Sequence, residues 1–219
     1  MKTTRREAIR CLLTLGAGAA AAGALFAGGI RMVSAEIKRR VLPRGTPMHT
    51  LVGQNPARLD AGNLEVTPLE AFGTMGQTNF SIAAKNWRLT IGGVINRPMN
   101  FTYSDITQRE AIVREVLLIC PGFFAFKGRW KGVSVAALLR EAQIGPDVSH
   151  VRISGPTGVR EKSERFALDE INSDQVFLAY EINGVSLPQK HGFPLRLVAE
   201  DHYGARWVKY VDRITAVAD

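Results

Sequence analysis

Val116-Leu117-Leu118-Ile119-Cys120 is followed at once by Pro121-Gly122. Five apolar residues without a polar break cannot serve a surface that is wet on one side. They need cover on both faces, and the length and β-branched content fit a buried strand ending at Cys120. Residues 121–129 then read as a loop. A fold that contains such a strand must supply packed layers on each side of it. The material is there: of 219 residues, 46% are hydrophobic and 22% charged, enough for one ordinary domain plus a tail.

The surrounding pattern is strand-rich. Trp87 to Ile91 alternates apolar and polar residues, as a half-buried strand does, and Met99 to Tyr103 reads as a second short strand. Ser104-Asp105 is a candidate cap for a short helix. Ser134 to Gln143 places Val135, Leu138, Leu139 and Ala142 on one helical face, with Gly145-Pro146 stopping it. Val151 to Ile153 and Val176 to Ile182 are strands, and Asn183-Gly184 after the latter is a hairpin signal. Leu195 to Ala199 and Val208 to Ile214 complete the β content. The expected class is mixed α+β with few short helices. Residues 36–66 carry Lys38-Arg39-Arg40 and three prolines with no periodicity, so they are expected to form an extended arm before a domain at 67–219.

The first 35 residues read as an address. Arg5-Arg6 precedes a weakly apolar, Ala- and Gly-rich run from Cys11 to Ile30, and Val33-Ser34-Ala35 offers small residues for cleavage. This resembles a twin-arginine signal and implies export to the periplasm. The rival reading is a retained membrane anchor, which leaves membrane contact possible through the N-terminus. Five cations against Glu7 put +4 of the formal +8 before residue 36, so the remaining chain is only mildly basic. No basic block interleaved with aromatics points to nucleic acid.

Once the address is removed, Cys120 is the one cysteine left, and no internal disulfide can form. A lone cysteine is ordinarily a small buried hydrophobe. Its flanks give it more weight. Thr67-Pro68-x-Glu70-x-Phe72 comes first, then Trp87-Arg88-Leu89-x-Ile91-x-Gly93-x-Ile95-x-x-Pro98. Cys120 and Trp130-x-Gly132-Val133-x-Val135 follow. Leu178-Ala179-Tyr180-x-x-Asn183-Gly184-x-x-Leu187-Pro188 precedes Gly192-Phe193-Pro194-Leu195-Arg196-Leu197-Val198, and Tyr203-Gly204 with Trp207-Val208-Lys209-Tyr210-Val211 closes the series. In order and spacing these motifs resemble the molybdopterin domain shared by sulfite oxidases and the bacterial periplasmic methionine-sulfoxide reductase catalytic subunit, from about Thr67 to Val217.

That resemblance implies a molybdenum cofactor. One molybdopterin offers two dithiolene sulfurs to molybdenum, and one protein thiolate, here Cys120, completes the sulfur set. A soft thiolate suits a thiophilic metal, and the metal keeps the sulfur deprotonated. The resemblance further implies that Arg196 and Lys209 meet the pterin's phosphate, the first as a planar fork and the second as a point charge. It places the backbone of Trp207 and Val208, the side chain of His191 and, by a softer alignment, Ser154 against the pterin. Read from local sequence alone, Arg196 and Lys209 are equally solvated strand residues and His191 a turn histidine. Trp87 and Trp130 read as core, and Tyr203 as pocket lining or structure.

The pattern also departs from the sulfite enzymes. They follow the ligand cysteine with a small residue, glycine, asparagine and arginine, where this chain has Pro121-Gly122-Phe123-Phe124. They place an arginine and a histidine where this chain has Gly73-Thr74-Met75-Gly76-Gln77. Sulfite is therefore a poor substrate, and Phe123, Phe124 and Met75 would make an apolar pocket for a neutral oxygen donor unless Lys127, Arg129 or Arg160 restored positive charge. The expected function is an exported oxidoreductase that moves an oxygen atom and two electrons to or from a small molecule, in the reducing direction. With no Cys-x-x-Cys-His haem motif, it would need an electron partner such as a membrane haem protein or soluble cytochrome. One alternative is a cofactor-binding or structural protein of this fold without turnover. Another is a cofactor-free thiol enzyme, which would need a histidine base near Cys120.

Overall fold

The computed structural model describes residues 38–78, 80–158 and 162–218. The segment expected to direct export, with Cys11, and Arg160 lie outside the described residues. In chain order the elements are β1 (Arg40–Val41), β2 (Leu59–Asp60), β3 (Arg88–Gly93), β4 (Met99–Thr102), α1 (Tyr103–Thr107), β5 (Ile112–Cys120) and β6 (Phe124–Ser134). After these come α2 (Val135–Glu141), β7 (Val148–Ser154), β8 (Ser163–Ala167), α3 (Leu168–Asn172), β9 (Val176–Ile182), β10 (Val185–Ser186), β11 (Arg196–Ala199) and β12 (Arg213–Ala218). Short 3-10 turns fill several connections. The class is the strand-rich α+β fold with short helices that the sequence implies. Among the described residues no helix is long and apolar enough to cross a membrane.

The apolar run is the buried end of β5, and both of its faces are covered. Val116 and Leu118 join the main core with Phe126 and Trp130 of β6, while Leu117 and Ile119 face Leu42, Leu51, Leu59 and Leu64 of the N-terminal arm. The arm thus supplies the second layer that an unbroken apolar strand demands. It is tied down by Lys127, whose Nζ donates to the carbonyls of Gly62 at 3.2 Å and Leu64 at 2.8 Å and pairs with Glu115 at 2.7 Å.

β5 and β6 form an antiparallel hairpin in which Cys120 pairs with Phe124. The intervening residues make a tight turn: Phe123 N–H donates to the Cys120 carbonyl at 3.0 Å, and Gly122 sits at φ 78°, where a side chain would be strained. The expected loop over 121–129 is therefore a correction. β6 starts at Phe124, and Lys127, expected as a possible pocket cation, instead serves the arm carbonyls and Glu115.

Two five-stranded sheets carry the rest. One runs β10-β9-β6-β5 with β11 also paired to β9; the other runs β4-β3-β12-β7-β8, with β12 parallel to β3. The final strand begins at Arg213, later than the expected Val208, because Tyr210 at φ 58° breaks the extended run. Asn183 and Gly184 adopt positive φ of 51° and 82°, as the hairpin signal requires. Ser134 caps α2, accepting from Ala137 N–H at 3.0 Å. For α1 the cap is Thr102 rather than Ser104: its hydroxyl accepts from Asp105 N–H, and the Asp105 carboxylate accepts from Thr102 N–H, a reciprocal box. β8 and α3 carried no clear periodic signal in the sequence.

Candidate cofactor site

Strand ends and loops from both sheets converge on a cavity of about 640 Å³. β5 contributes Leu118 and Cys120, and β6 contributes Phe124. The 73–77 loop lies across one side, and Gly155-Pro156 after β7 and Lys162 before β8 form another. Arg196 opens β11, and Trp207, Lys209 and Tyr210 come from the segment before β12.

The Cys120 thiol lies within 3.1 Å of the Met75 thioether. Burial pushes the thiol's pKa up, and the positive charge of Lys162 opposes that shift. No three His, Cys, Asp or Glu side chains gather at a common point among the described residues. Among the described residues the cavity therefore offers a metal one thiolate, and a bound group would have to supply most of the remaining donors.

The cavity is also lined by cations. Backbone bonds from Leu197 N–H to the Val208 carbonyl, Val211 N–H to the Leu195 carbonyl and Tyr210 N–H to the Gly192 carbonyl lay 208–211 alongside 192–197. That pairing sets Arg196 and Lys209 together. Gly192 permits it: at φ 111°, a Cβ there would lie 3.0 Å from Lys209 Cβ. Arg196 is 6% exposed; its guanidinium lies over Trp207 and Trp130 at 5.4 and 5.6 Å from the ring centres, and Nη1 donates to the His191 carbonyl at 2.9 Å. Its Nε is buried without a partner. The Lys209 ammonium donates to Thr74 Oγ1 at 2.6 Å and to the Lys190 and Gln77 carbonyls at 2.9 and 3.2 Å.

Among the described residues lining the cavity there are three cations, Lys162, Arg196 and Lys209, and no carboxylate. The electrostatic consequence is direct. Burial, with Arg196 and Lys162 nearby, lowers the Lys209 pKa to about 7. Burial lowers Arg196 to about 10. His191, buried beside them, is lowered to about 4, first by burial and then by Arg196, Lys190 and Lys209. Buried cations without a counter-charge are costly. An anion entering the cavity would remove that cost and supply the acceptor that Arg196 Nε lacks. A thiol and three cations with no carboxylate among the described lining residues fit an anionic cofactor that carries a thiophilic metal.

Of the expected site residues, Cys120, Arg196, Lys209 and Trp207 line this cavity. Three do not. His191 lies behind Arg196, 1% exposed, with Nε2 unpartnered. The Ser154 hydroxyl is spent on Ser163 at 2.8 Å, and Val208 is fully buried, its carbonyl bonded to Leu197. The Trp207 backbone N–H, expected as a donor to the cofactor, instead closes a turn onto the Gly204 carbonyl at 3.1 Å. Phe124 and Met75 do line the cavity, whereas Phe123 is 67% exposed and does not. Lys127 serves the arm. Tyr203 packs with the arm's apolar cluster, and Trp130 is core, with no exposed surface. The sequence reading missed Lys162, Thr74, Gln77 and Tyr210. Tyr210 lay inside a motif and was findable there; Lys162 sits in an irregular stretch whose neighbours carry no signal.

A family model described as oxidoreductase molybdopterin binding domain matches residues 75–219. The chain is 27% identical over 143 residues to the protein-methionine-sulfoxide reductase catalytic subunit of Gluconobacter oxydans, covering 58% of this chain and 46% of that protein. It is 35% identical over 94 residues to mitochondrial sulfite oxidase of Homo sapiens, covering 40% and 17% respectively. In fold it is similar to the sulfane dehydrogenase SoxCD from Paracoccus pantotrophus, with a TM-score of 0.60 at 20% identity over 84% of this chain and 51% of that one. The chain thus spans about half or less of the length of these proteins.

Proposed function

The chain belongs to the oxidoreductase molybdopterin-binding domain family, and from that premise we propose that it is an exported enzyme that removes an oxygen atom from a small neutral molecule. One observation carries the reading: a single cavity joins the Cys120 thiol to three cations, with no carboxylate among the described lining residues. Cys120 would give its thiolate to molybdenum. Arg196 and Lys209 would hold the anionic end of the pterin, with Trp207 fixing the Arg196 fork from below. The bound group supplies the two-electron oxygen-transfer chemistry, and the protein supplies position and electrostatics.

The lining beside Cys120 favours a neutral molecule. Met75, Leu118 and Phe124 wall the cavity near Cys120, where the sulfite enzymes offer arginine and histidine. In the reducing direction two electrons and two protons enter, the substrate's bond to oxygen breaks, and the oxygen leaves as water. The electrons would come from an external carrier, a membrane haem protein or a soluble cytochrome. Similarity to a methionine-sulfoxide reductase subunit supports sulfoxides as the first substrates to assay. Arg5-Arg6 and the apolar run after it support twin-arginine export to the periplasm, a route that carries folded, cofactor-loaded proteins.

The test is molybdenum content together with reduction of a dialkyl sulfoxide by reduced viologen. The native protein is expected to carry about one molybdenum per chain and to turn over, as a single thiolate ligand implies. Cys120→Ser is expected to lose the thiolate-to-metal absorption and all turnover; an unchanged metal site in that variant sinks the proposal. The departures at 121–124 and 73–77 favour a second reading, a binding protein of the same fold. Stoichiometric molybdenum with no reduction of any oxide would establish it.

A further inference from the structure

The 73–77 loop carries a second sulfur to the cavity. Met75 is 44% exposed and belongs to neither apolar cluster of the fold, so core packing does not place it. Its neighbours are held on both sides. The Lys209 ammonium donates to Thr74 Oγ1 at 2.6 Å and to the Gln77 carbonyl at 3.2 Å, and Thr74 Oγ1 donates in turn to the Lys190 carbonyl at 3.2 Å. Just before them, Gly73 packs against the Phe124 ring, which any Cβ at that position would overlap. Phe124 is the residue paired with Cys120 across the β5–β6 hairpin. The loop is thus fixed to the hairpin that carries the thiol, and Met75 Sδ stands 3.1 Å from Cys120 Sγ.

We propose that Met75 is a second protein ligand to the metal that Cys120 binds, its thioether taking a position beside the thiolate on one ion. This deepens the cofactor reading above and rests on it for the identity of the metal. The spacing suits the role. Two sulfurs held at about 2.3 Å and at right angles on one metal stand about 3.3 Å apart, close to the 3.1 Å between Met75 and Cys120. The donors are matched as well: thiolate and thioether are both soft and select the same thiophilic ions. On binding, Cys120 releases its proton, whereas Met75 has none to release and adds no negative charge. A neutral sulfur donor favours the lower oxidation state of its metal, as methionine does on haem iron. That is the state a reductase must hold ready for its substrate.

The experiment uses the cofactor-loaded protein grown with selenomethionine, reduced with dithionite and read by X-ray absorption at the molybdenum K-edge. A selenium neighbour at bonding distance is expected. It is expected to vanish in Met75→Leu, a swap that roughly conserves volume. Met48 and Met99 keep their selenium in that variant, so the loss reports on Met75. Redox titration of the Mo(V) resonance is expected to give a more negative midpoint in Met75→Leu than in the native protein. A labelled molybdenum site with no selenium neighbour overturns the proposal and leaves Met75 a wall of the cavity. Native protein without molybdenum would instead defeat the cofactor reading, and cuprous ion, which also takes thiolate and thioether together, then becomes the probe. At the copper K-edge of that labelled protein, a selenium neighbour lost in Met75→Leu upholds the pairing of Met75 with Cys120, and its absence overturns it.

Discussion

Two regions on opposite sides of the β5–β6 hairpin each bury a cation, and they treat it differently. On the arm side, Lys127 is 2% exposed and fully answered: two carbonyls and the Glu115 carboxylate take its ammonium. On the cavity side, Arg196 is also buried but has one carbonyl, two indole faces and an unpartnered Nε, with Lys209 and Lys162 nearby and no acid among the described residues lining the cavity. The first arrangement is finished by the fold itself. The second is finished only by something that binds. A buried charge that its own chain satisfies fixes architecture, and one left unsatisfied marks a ligand.

The contrast is most exposed to failure at Arg196. Arg196→Met should cut cofactor retention by about one to two orders of magnitude, the value of one or two charge-assisted hydrogen bonds. It should leave the cofactor-free fold as stable or more so, since an uncompensated buried cation is removed. Molybdenum per chain after dialysis and urea unfolding of the cofactor-free protein measure the two sides. A cofactor-free variant that is strongly destabilised would put Arg196 in the same class as Lys127.

Lys127→Ala should show the opposite profile. It strands two arm carbonyls and loosens the layer over Leu117 and Ile119, for a loss of about 2–3 kcal/mol. Glu115 is half-exposed and regains water, which keeps the loss below that of a fully buried pair. The urea midpoint should fall equally with and without cofactor, and molybdenum per folded chain should not change.

A further test is a pH dependence. Lys209 has its pKa lowered from 10.5 to about 7 in the fold. The unfolded chain therefore binds more protons between those values, and the stability of the cofactor-free protein should rise as pH climbs from about 7 toward 10.5, levelling off below 7. Inorganic pyrophosphate, by holding Lys209 charged, should flatten or reverse that slope, and Lys209→Met should diminish it, leaving the part that Lys162, also lowered by burial, contributes. Thermal unfolding across this range, with and without pyrophosphate, is the measurement. A slope undiminished in Lys209→Met assigns it to another group.

Much of this molecule was legible beforehand because its signals are local. An unbroken apolar run needs two covering layers wherever it sits, Asn183-Gly184 needs a positive-φ turn, and Ser134 before Val135 needs a helix start. The place of Lys127 in β6 was not legible, because its partners come from the arm as well as from Glu115. Nor was the break at Tyr210, whose backbone conformation is set by the 192–197 segment it pairs with. Cys120, Arg196, Lys209 and Trp207 could be named from ordered motifs, but their convergence on one cavity could not.

The sequence by itself determined that Val116 to Cys120 would be a buried strand ending in the chain's candidate ligand, since hydrophobic burial depends on residue type and period. It also determined the family. Only the tertiary structure decided which cation belongs to the fold and which to a ligand. That distinction depends on near and distant partners coming to rest together: Glu115 stands close to Lys127 in sequence, but Leu64 lies 63 positions from it, and Lys209 pairs with Thr74 across 135. Charge compensation is a property of spatial neighbours, and no local pattern records it.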